Sequence, residues 1–237
     1  MKDLQDFYYQ EKEGLGIVTG EESDFLATHE AWRGYPSIHI CHERVKGVQD
    51  PVIEGVLHHE IGHAFLHGSL EFYTFKFTNR LQEVARLHGF ELNHLQQCVY
   101  FLSIAVKDWA VIQWLTEMGL GPCQKSLLEY IMNDTEEERE AWSVAKHSPV
   151  AKKIAMAAFL KIILPIEAMI LIKFKDARKL KDQWKEAYGW LSLMERNGLV
   201  RLSRWIMTLG GSRFQETLEN AAYGLIQESF ETKDALQ

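Results

Sequence analysis

The stretch His58-His59-Glu60-Ile61-Gly62-His63-Ala64-Phe65-Leu66-His67-Gly68 decides how this chain is read. On a helix, residues four apart project about 40° apart and lie roughly 6 Å apart along the axis. His59 and His63 therefore offer two imidazole nitrogens to one zinc ion, in the HExxH spacing. Glu60 projects about 100° round from His59, near the edge of the same site. It is placed to take a proton from metal-activated water without being a ligand.

The flanking residues say where such a helix begins and ends. Asp50-Pro51 predicts the start, with Asp as N-cap and Pro at the first helical position. Gly68 predicts the stop. The helix so bounded, Pro51 to His67, is about 25 Å long. Val52, Ile53, Val56, Leu57, Ile61, Ala64 and Phe65 spread over most of its circumference, which predicts a buried helix. Two imidazoles and a carboxylate are costly to bury unless paired or bound to metal. Gly55 and Gly62 lie close together on another side and predict the close approach of a strand or helix. The plainer reading is a His- and Glu-bearing helix satisfied by hydrogen bonds alone.

This segment resembles the active-site helix of zincin metallopeptidases. The longer run His59–His67, HEIGHAFLH, is locally similar to the HExxHxxxH form of the ImmA/IrrE-type gluzincins. The likeness covers about ten residues, and the downstream Glu-Ala-Asn-x-Phe-Ala signature of those proteins is not evident. What the resemblance implies is a zinc-dependent hydrolase, one Zn2+ per chain, acting on peptide bonds of a peptide or protein substrate. It also implies a third protein ligand from a later helix.

The 237 residues suffice for one large domain or two small lobes. At 46% hydrophobic and 25% charged, the composition is that of a globular protein. A net charge of −7 argues against a general nucleic-acid binder, which needs a basic face. Cys41, Cys98 and Cys123 are odd in number and widely spaced, which predicts free thiols in a reducing compartment. The N-terminus, MKDLQDFYYQEKEG, has no apolar core of a signal peptide. The most hydrophobic run, Ile154–Ile172, contains Lys161, Pro165 and Glu167, and reads as a core helix rather than a membrane span. A cytoplasmic protein without a membrane partner is the expectation.

The fold class expected is α+β, mostly α. A zincin-like N-terminal part (1–80), with a small β-sheet and the HExxH helix, precedes a helical part (81–237) that completes the metal site; the two could be one continuous domain. Residues 1–13 suggest a short helix, Leu15–Thr19 a strand or turn, and Asp24–Trp32 is ambiguous between helix and strand. Gly34-Tyr35-Pro36 marks a turn. Ser37–Val45 alternates apolar and polar and reads as a strand with an exposed side, His39 and His42 being exposed strand histidines rather than ligands. Strand, loop and HExxH helix is the zincin order, and the resemblance implies that the strand edge holds an extended peptide.

From about Thr78 the expectation is nearly all helix: Arg80–Leu87 ended by Gly89; His94–Met118 capped by Asn93 and stopped by Gly119, Gly121 and Pro122; and a short Ser126–Ile131. Then come Glu136–Lys146 with a Thr135/Glu138 capping box, and Val150–Phe174 opened by Ser148-Pro149 and kinked at Pro165. Lys175–Arg196 ends at Asn197-Gly198, and Leu199–Leu209 and 213–229 complete the series.

For the third ligand, His67 lies about 12 Å from His59 along a continuous helix and cannot share its ion. It fits the helix C-terminus or a supporting role. His58 should point away. Asp108 is the better candidate: its neighbours at helical spacing are Ile104, Ala105, Val111 and Ile112, so its carboxylate faces the core and needs a partner, while Ser103, Lys107 and Gln113 find solvent elsewhere. Its alternative is pairing with a buried Arg or capping another helix. Glu91 and Glu167 are rivals, Glu91 lying near a helix start where an acid is expected anyway, and core-facing Glu167 reading as a ligand, a residue behind the ligands or the partner of a lysine. Tyr73, His94, Tyr130 and His147 are available as oxyanion donors.

Two other classes compete. Glu60-x-x-His63 and Glu91-x-x-His94 are paired ExxH motifs of the kind found in di-iron helical bundles, with Asp108 and Glu167 as further carboxylates. A non-catalytic zinc-binding protein on a zincin-like scaffold is the other.

Overall fold

The computed structural model of the chain describes residues 26–31, 33–133, 135–210 and 213–228. The elements expected over 1–13 and around Leu15–Thr19 lie outside them. The described chain is mostly helical, with one two-stranded sheet.

Strand β1, Ala27–Glu30, settles the ambiguous stretch. It pairs antiparallel with β2, Ser37–Ile40, in the register Ala27↔Ile40, Thr28↔His39, His29↔Ile38 and Glu30↔Ser37. Gly34 turns the chain between them at φ +88°. The strand expected over Ser37–Val45 stops at Ile40, and His42–Val45 coil into a one-turn helix, α1. Beyond this register the Cys41 N–H still donates to the Leu26 carbonyl at 2.9 Å before the chain coils, and Ile40 is half exposed rather than buried.

Helix α2, Asp50–Leu66, carries the HExxH motif. Gln49 holds the N-cap position, so the start lies one residue earlier than expected, with Pro51 in the first turn. A Cβ on Gly68 would stand 2.3 Å from the Ala64 carbonyl oxygen, so glycine is what lets the chain leave the helix there. Burial is not all-round: Ile61 and Phe65 are exposed, Phe65 stacking on Trp114 at 5.1 Å. Other helices cover α2 on one side and β1 on another, leaving that flank open.

The remaining helices are α3 (Asn79–Leu87), α4 (Leu92–Leu115), α5 (Gly121–Met132), α6 (Glu136–Ala145), α7 (Pro149–Leu171), α8 (Ala177–Ala187), α9 (Leu193–Thr208) and α10 (Phe214–Gln227). Helices α4 and α7 lie along each other at the centre. Leu102, Ile112, Leu160 and Ile163 are buried there in one cluster with Trp184, Leu199, Ile206 and Leu225 from the surrounding helices. Each such aliphatic side chain contributes roughly 1.5–3 kcal/mol on burial. Leu92–Met132 and Pro149–Leu171 are long and apolar enough to cross a membrane by length and composition, with 56% and 67% of their most apolar windows buried inside the fold.

Several boundaries differ from expectation for local reasons. Glu91, not Asn93, caps α4, in a capping box with His94. Gly121-Pro122 opens α5 instead of closing its predecessor, because proline fits a first helical turn, and α5 is accordingly longer than Ser126–Ile131. A π-turn, Thr116–Leu120, with Gly119 at φ +88°, joins α4 to α5. Thr135 makes no side-chain cap; Glu138 instead accepts from the Tyr188 hydroxyl at 2.6 Å and pairs with Lys161 at 2.9 Å. A Ser192/Glu195 capping box starts α9 inside the expected Lys175–Arg196 helix, so Asn197-Gly198 lies within α9. Helix α7 runs through Pro165.

Candidate metal centre

Two close helix contacts position the centre. A Cβ on Gly62 would stand 2.7 Å from Val111 Cγ1 of α4, and one on Gly55 would stand 2.4 Å from the Cys123 carbonyl oxygen of α5. The two glycines thus seat α2 against both helices, as their spacing predicts. The first contact brings α4 near enough for Asp108 to reach α2.

His63 Nε2 lies 2.9 Å from His59 Nε2 and 3.1 Å from Asp108 Oδ1, and His59 Nε2 lies 3.5 Å from that same oxygen. Zinc bonds of about 2.1 Å at tetrahedral angles put donor atoms about 3.4 Å apart. The three atoms converge at that scale, and two imidazoles with one carboxylate are a donor set zinc accepts. The residues fit the ion.

Outer partners hold the inner ones. His63 Nδ1 meets Nδ1 of the buried His67 at 3.2 Å, which turns Nε2 of His63 inward. Gln124, fully buried, donates to the Gly55 carbonyl at 2.9 Å and so ties α5 to α2. His67 is therefore a supporting residue at the end of α2, one of the two roles its distance from His59 leaves open.

Glu60 is buried at 9% exposure. Its Oε2 accepts from His29 Nδ1 at 2.9 Å, and the His29 ring stacks on His63, centroids 4.3 Å apart and planes 4° apart. His29 was not singled out in the sequence. Contrary to expectation, Lys107 does not reach solvent but is buried, with its ammonium 5.0 Å from the Tyr73 ring centroid. Ser103 is likewise buried, its hydroxyl donating to the Tyr100 carbonyl at 2.7 Å.

The electrostatics follow from burial opposed by charge. Burial drives the His63 pKa well below 6.5, with the neighbouring His59 adding to the effect. Burial lowers His59 too, but the hydrogen bond and charge of Asp108 outweigh it, and the net shift is upward. Burial disfavours the Asp108 carboxylate, yet hydrogen bonds from His59 and His63 hold it well below the usual carboxylate range. Burial and Lys107 together push His67 down to about 3. Burial brings Lys107 down to about 8, against the pull of Asp108 and Glu60.

His59, Glu60 and Asp108 line one cavity of about 240 Å³, walled further by Val56, Ile112, Leu127 and Ile162, with Tyr130 and Lys161 among its lining residues.

The other sequence candidates lie elsewhere. Glu91 and His94 are engaged in the α4 capping box, about 25 Å along the helix from Asp108. Glu167 is buried as predicted, but it pairs with Lys181 and, at 2.8 Å, with Arg204. The four carboxylates of the di-iron reading are therefore not brought together. His39 and His42 are exposed. Of the oxyanion candidates, Tyr73 lies near His29 at 6.2 Å and Tyr130 lines the cavity, whereas His94 caps α4 and His147 is exposed beyond α6. Hairpin pairing of residues 27–30 with Ser37–Ile40 was the signal that could have drawn attention to His29.

No family model, curated protein or solved structure matches the chain.

Proposed function

We propose that the chain is a zinc-dependent hydrolase of peptide bonds, of zincin type, with His59, His63 and Asp108 holding one Zn2+ and Glu60 as general base. The observation that carries this reading is the convergence of the three donor atoms within 3.5 Å of one another, beside a buried carboxylate on the same cavity.

His59, His63 and Asp108 would hold the ion, which would supply Lewis-acid chemistry toward the scissile carbonyl and an activated water near neutral pH. Glu60 accepts the proton of the attacking water and delivers it to the leaving amine. His29 holds one Glu60 oxygen, which leaves the other free to face the reacting atoms. His67 keeps His63 in register. Lys107, buried with its ammonium 5.0 Å from the Tyr73 ring centroid, brings to this cluster a positive charge that favours developing negative charge. The wall of Val56, Ile112, Leu127 and Ile162 suits an apolar substrate side chain.

The test is Glu60→Gln in untagged protein, assayed by mass spectrometry against a diverse peptide mixture. The variant keeps its zinc and loses about 10²–10⁴-fold in turnover. Unchanged turnover overturns the assignment.

A further inference from the structure

A second group of metal-ligating side chains lies on another flank of α2. Glu54 and His58 are one helical turn apart, and Cys123 comes from the first turn of α5. His58 Nδ1 lies 3.5 Å from Cys123 Sγ and 4.0 Å from Glu54 Oε1, and the three donor atoms all fall within 4.8 Å of one another. We propose that Glu54, His58 and Cys123 form a second zinc site, which pins α2 to the start of α5.

The distances support this. Zinc bonds of about 2.3 Å to sulfur and about 2.1 Å to nitrogen put the two donors about 3.6 Å apart at a tetrahedral angle. The sulfur and nitrogen already stand at that separation. Glu54 is exposed and closes its wider gap by a side-chain rotation. Without metal, the thiol donates to the Leu120 carbonyl at 3.0 Å, so His58 meets sulfur only as a weak acceptor. On binding, the S–H bond breaks, a Zn–S bond forms and the proton leaves to solvent. His58 coordinates through Nδ1 as the Nε2–H tautomer, and a water completes the tetrahedron.

The donor chemistry separates this site from the first. A thiolate and a carboxylate neutralise the two charges of zinc, whereas two imidazoles and one carboxylate leave a net positive, electrophilic ion. The second site therefore suits a structural role. Its position gives that role a target: Cys123 follows the Gly119 turn directly, and Leu127, Leu128 and Ile131 further along α5 wall the cavity beside His59 and Glu60. Occupancy fixes that wall. The part-exposed His58 and exposed Glu54 leave the ion open to exchange with solvent.

The test is cobalt(II) titration of metal-free protein, since only a cysteine ligand gives a thiolate-to-cobalt charge-transfer band in the near ultraviolet. Wild type takes up two equivalents, and the band saturates at one thiolate per chain. Cys123→Ser, nearly isosteric and checked for folding by circular dichroism, loses the band and keeps the visible bands of one cobalt. His59→Ala/His63→Ala keeps the band. Zinc slows alkylation of Cys123 by about tenfold or more. A wild type with no charge-transfer band at any loading, a band that persists in Cys123→Ser, or zinc without effect on alkylation each overturns the site. Loss of the band in Cys123→Ser, with no visible cobalt bands left, would keep the second site and count against the first.

Discussion

His29 Nδ1 stands 2.9 Å from Glu60 Oε2 while the same ring lies flat on His63 at 4.3 Å. One strand residue thus touches both the proposed base and a proposed ligand. His29→Ala should lower peptide turnover about 10–100-fold with zinc content unchanged, as for other residues that orient a metal site from outside it. His29→Phe, which keeps a ring against His63 but removes the donor to Glu60, should lose turnover as His29→Ala does. Wild-type turnover in His29→Phe would show that His29 only fills space.

His67 supports His63 from the far side. His67→Phe packs against Phe72 and Phe214, whose rings already lie 4.8 and 6.3 Å from the imidazole, and removes the polar contact. Zinc affinity by chelator competition should fall about 10–100-fold. Wild-type affinity in this variant would remove His67 from the account.

The same residue sets a pH dependence in metal-free protein. Its folded pKa is depressed from 6.5 to about 3, so the unfolded chain binds a proton there that the folded chain refuses. Its stabilising contribution is full above the unfolded value and is lost as pH falls from about 6.5 towards 3. His59, shifted upward, runs the other way, so the comparison between wild type and His67→Phe isolates the effect. Thermal unfolding from pH 7 to pH 4 should show a smaller decline in Tm for the variant. Parallel curves would contradict the assignment.

Gly55 and Gly62 test the packing that brings the ligands together. Gly55→Ala places a methyl 2.4 Å from the Cys123 carbonyl oxygen, a backbone atom, and Gly62→Ala places one 2.7 Å from Val111 Cγ1, a side-chain methyl. Overpacking of this kind costs about 1–3 kcal/mol. Denaturant unfolding should show the larger loss for Gly55→Ala, because backbone cannot step aside as a side chain can.

What the sequence made legible was what rests on local spacing. The HExxH helix, its two approach glycines and the inward Asp108 all follow from a 3.6-residue period and a short list of special residues. Glu167 was legible as buried and as a candidate partner for a lysine, but Lys181 and Arg204 lie on later helices, and pairing at such separation leaves no periodic trace that would name them. β1 is four residues long, too short for alternation to tell it from a helix, so nothing local marks His29 as a site residue. Lys107 follows the same logic: a lysine is expected to reach water, and only tertiary packing against Tyr73 explains why this one does not. At Gly121-Pro122 the residues fit both an ending and a beginning, and the packing of α5 on Gly55 decided between them.

The most direct test of the centre is zinc content by plasma mass spectrometry on untagged Cys123→Ser protein, which lacks the second site, compared with the same protein carrying His59→Ala or Asp108→Ala. One zinc per chain, lost in both, is the predicted result. Zinc retained at one per chain without Asp108, or no zinc bound even on addition of the metal, would contradict the site formed by His59, His63 and Asp108.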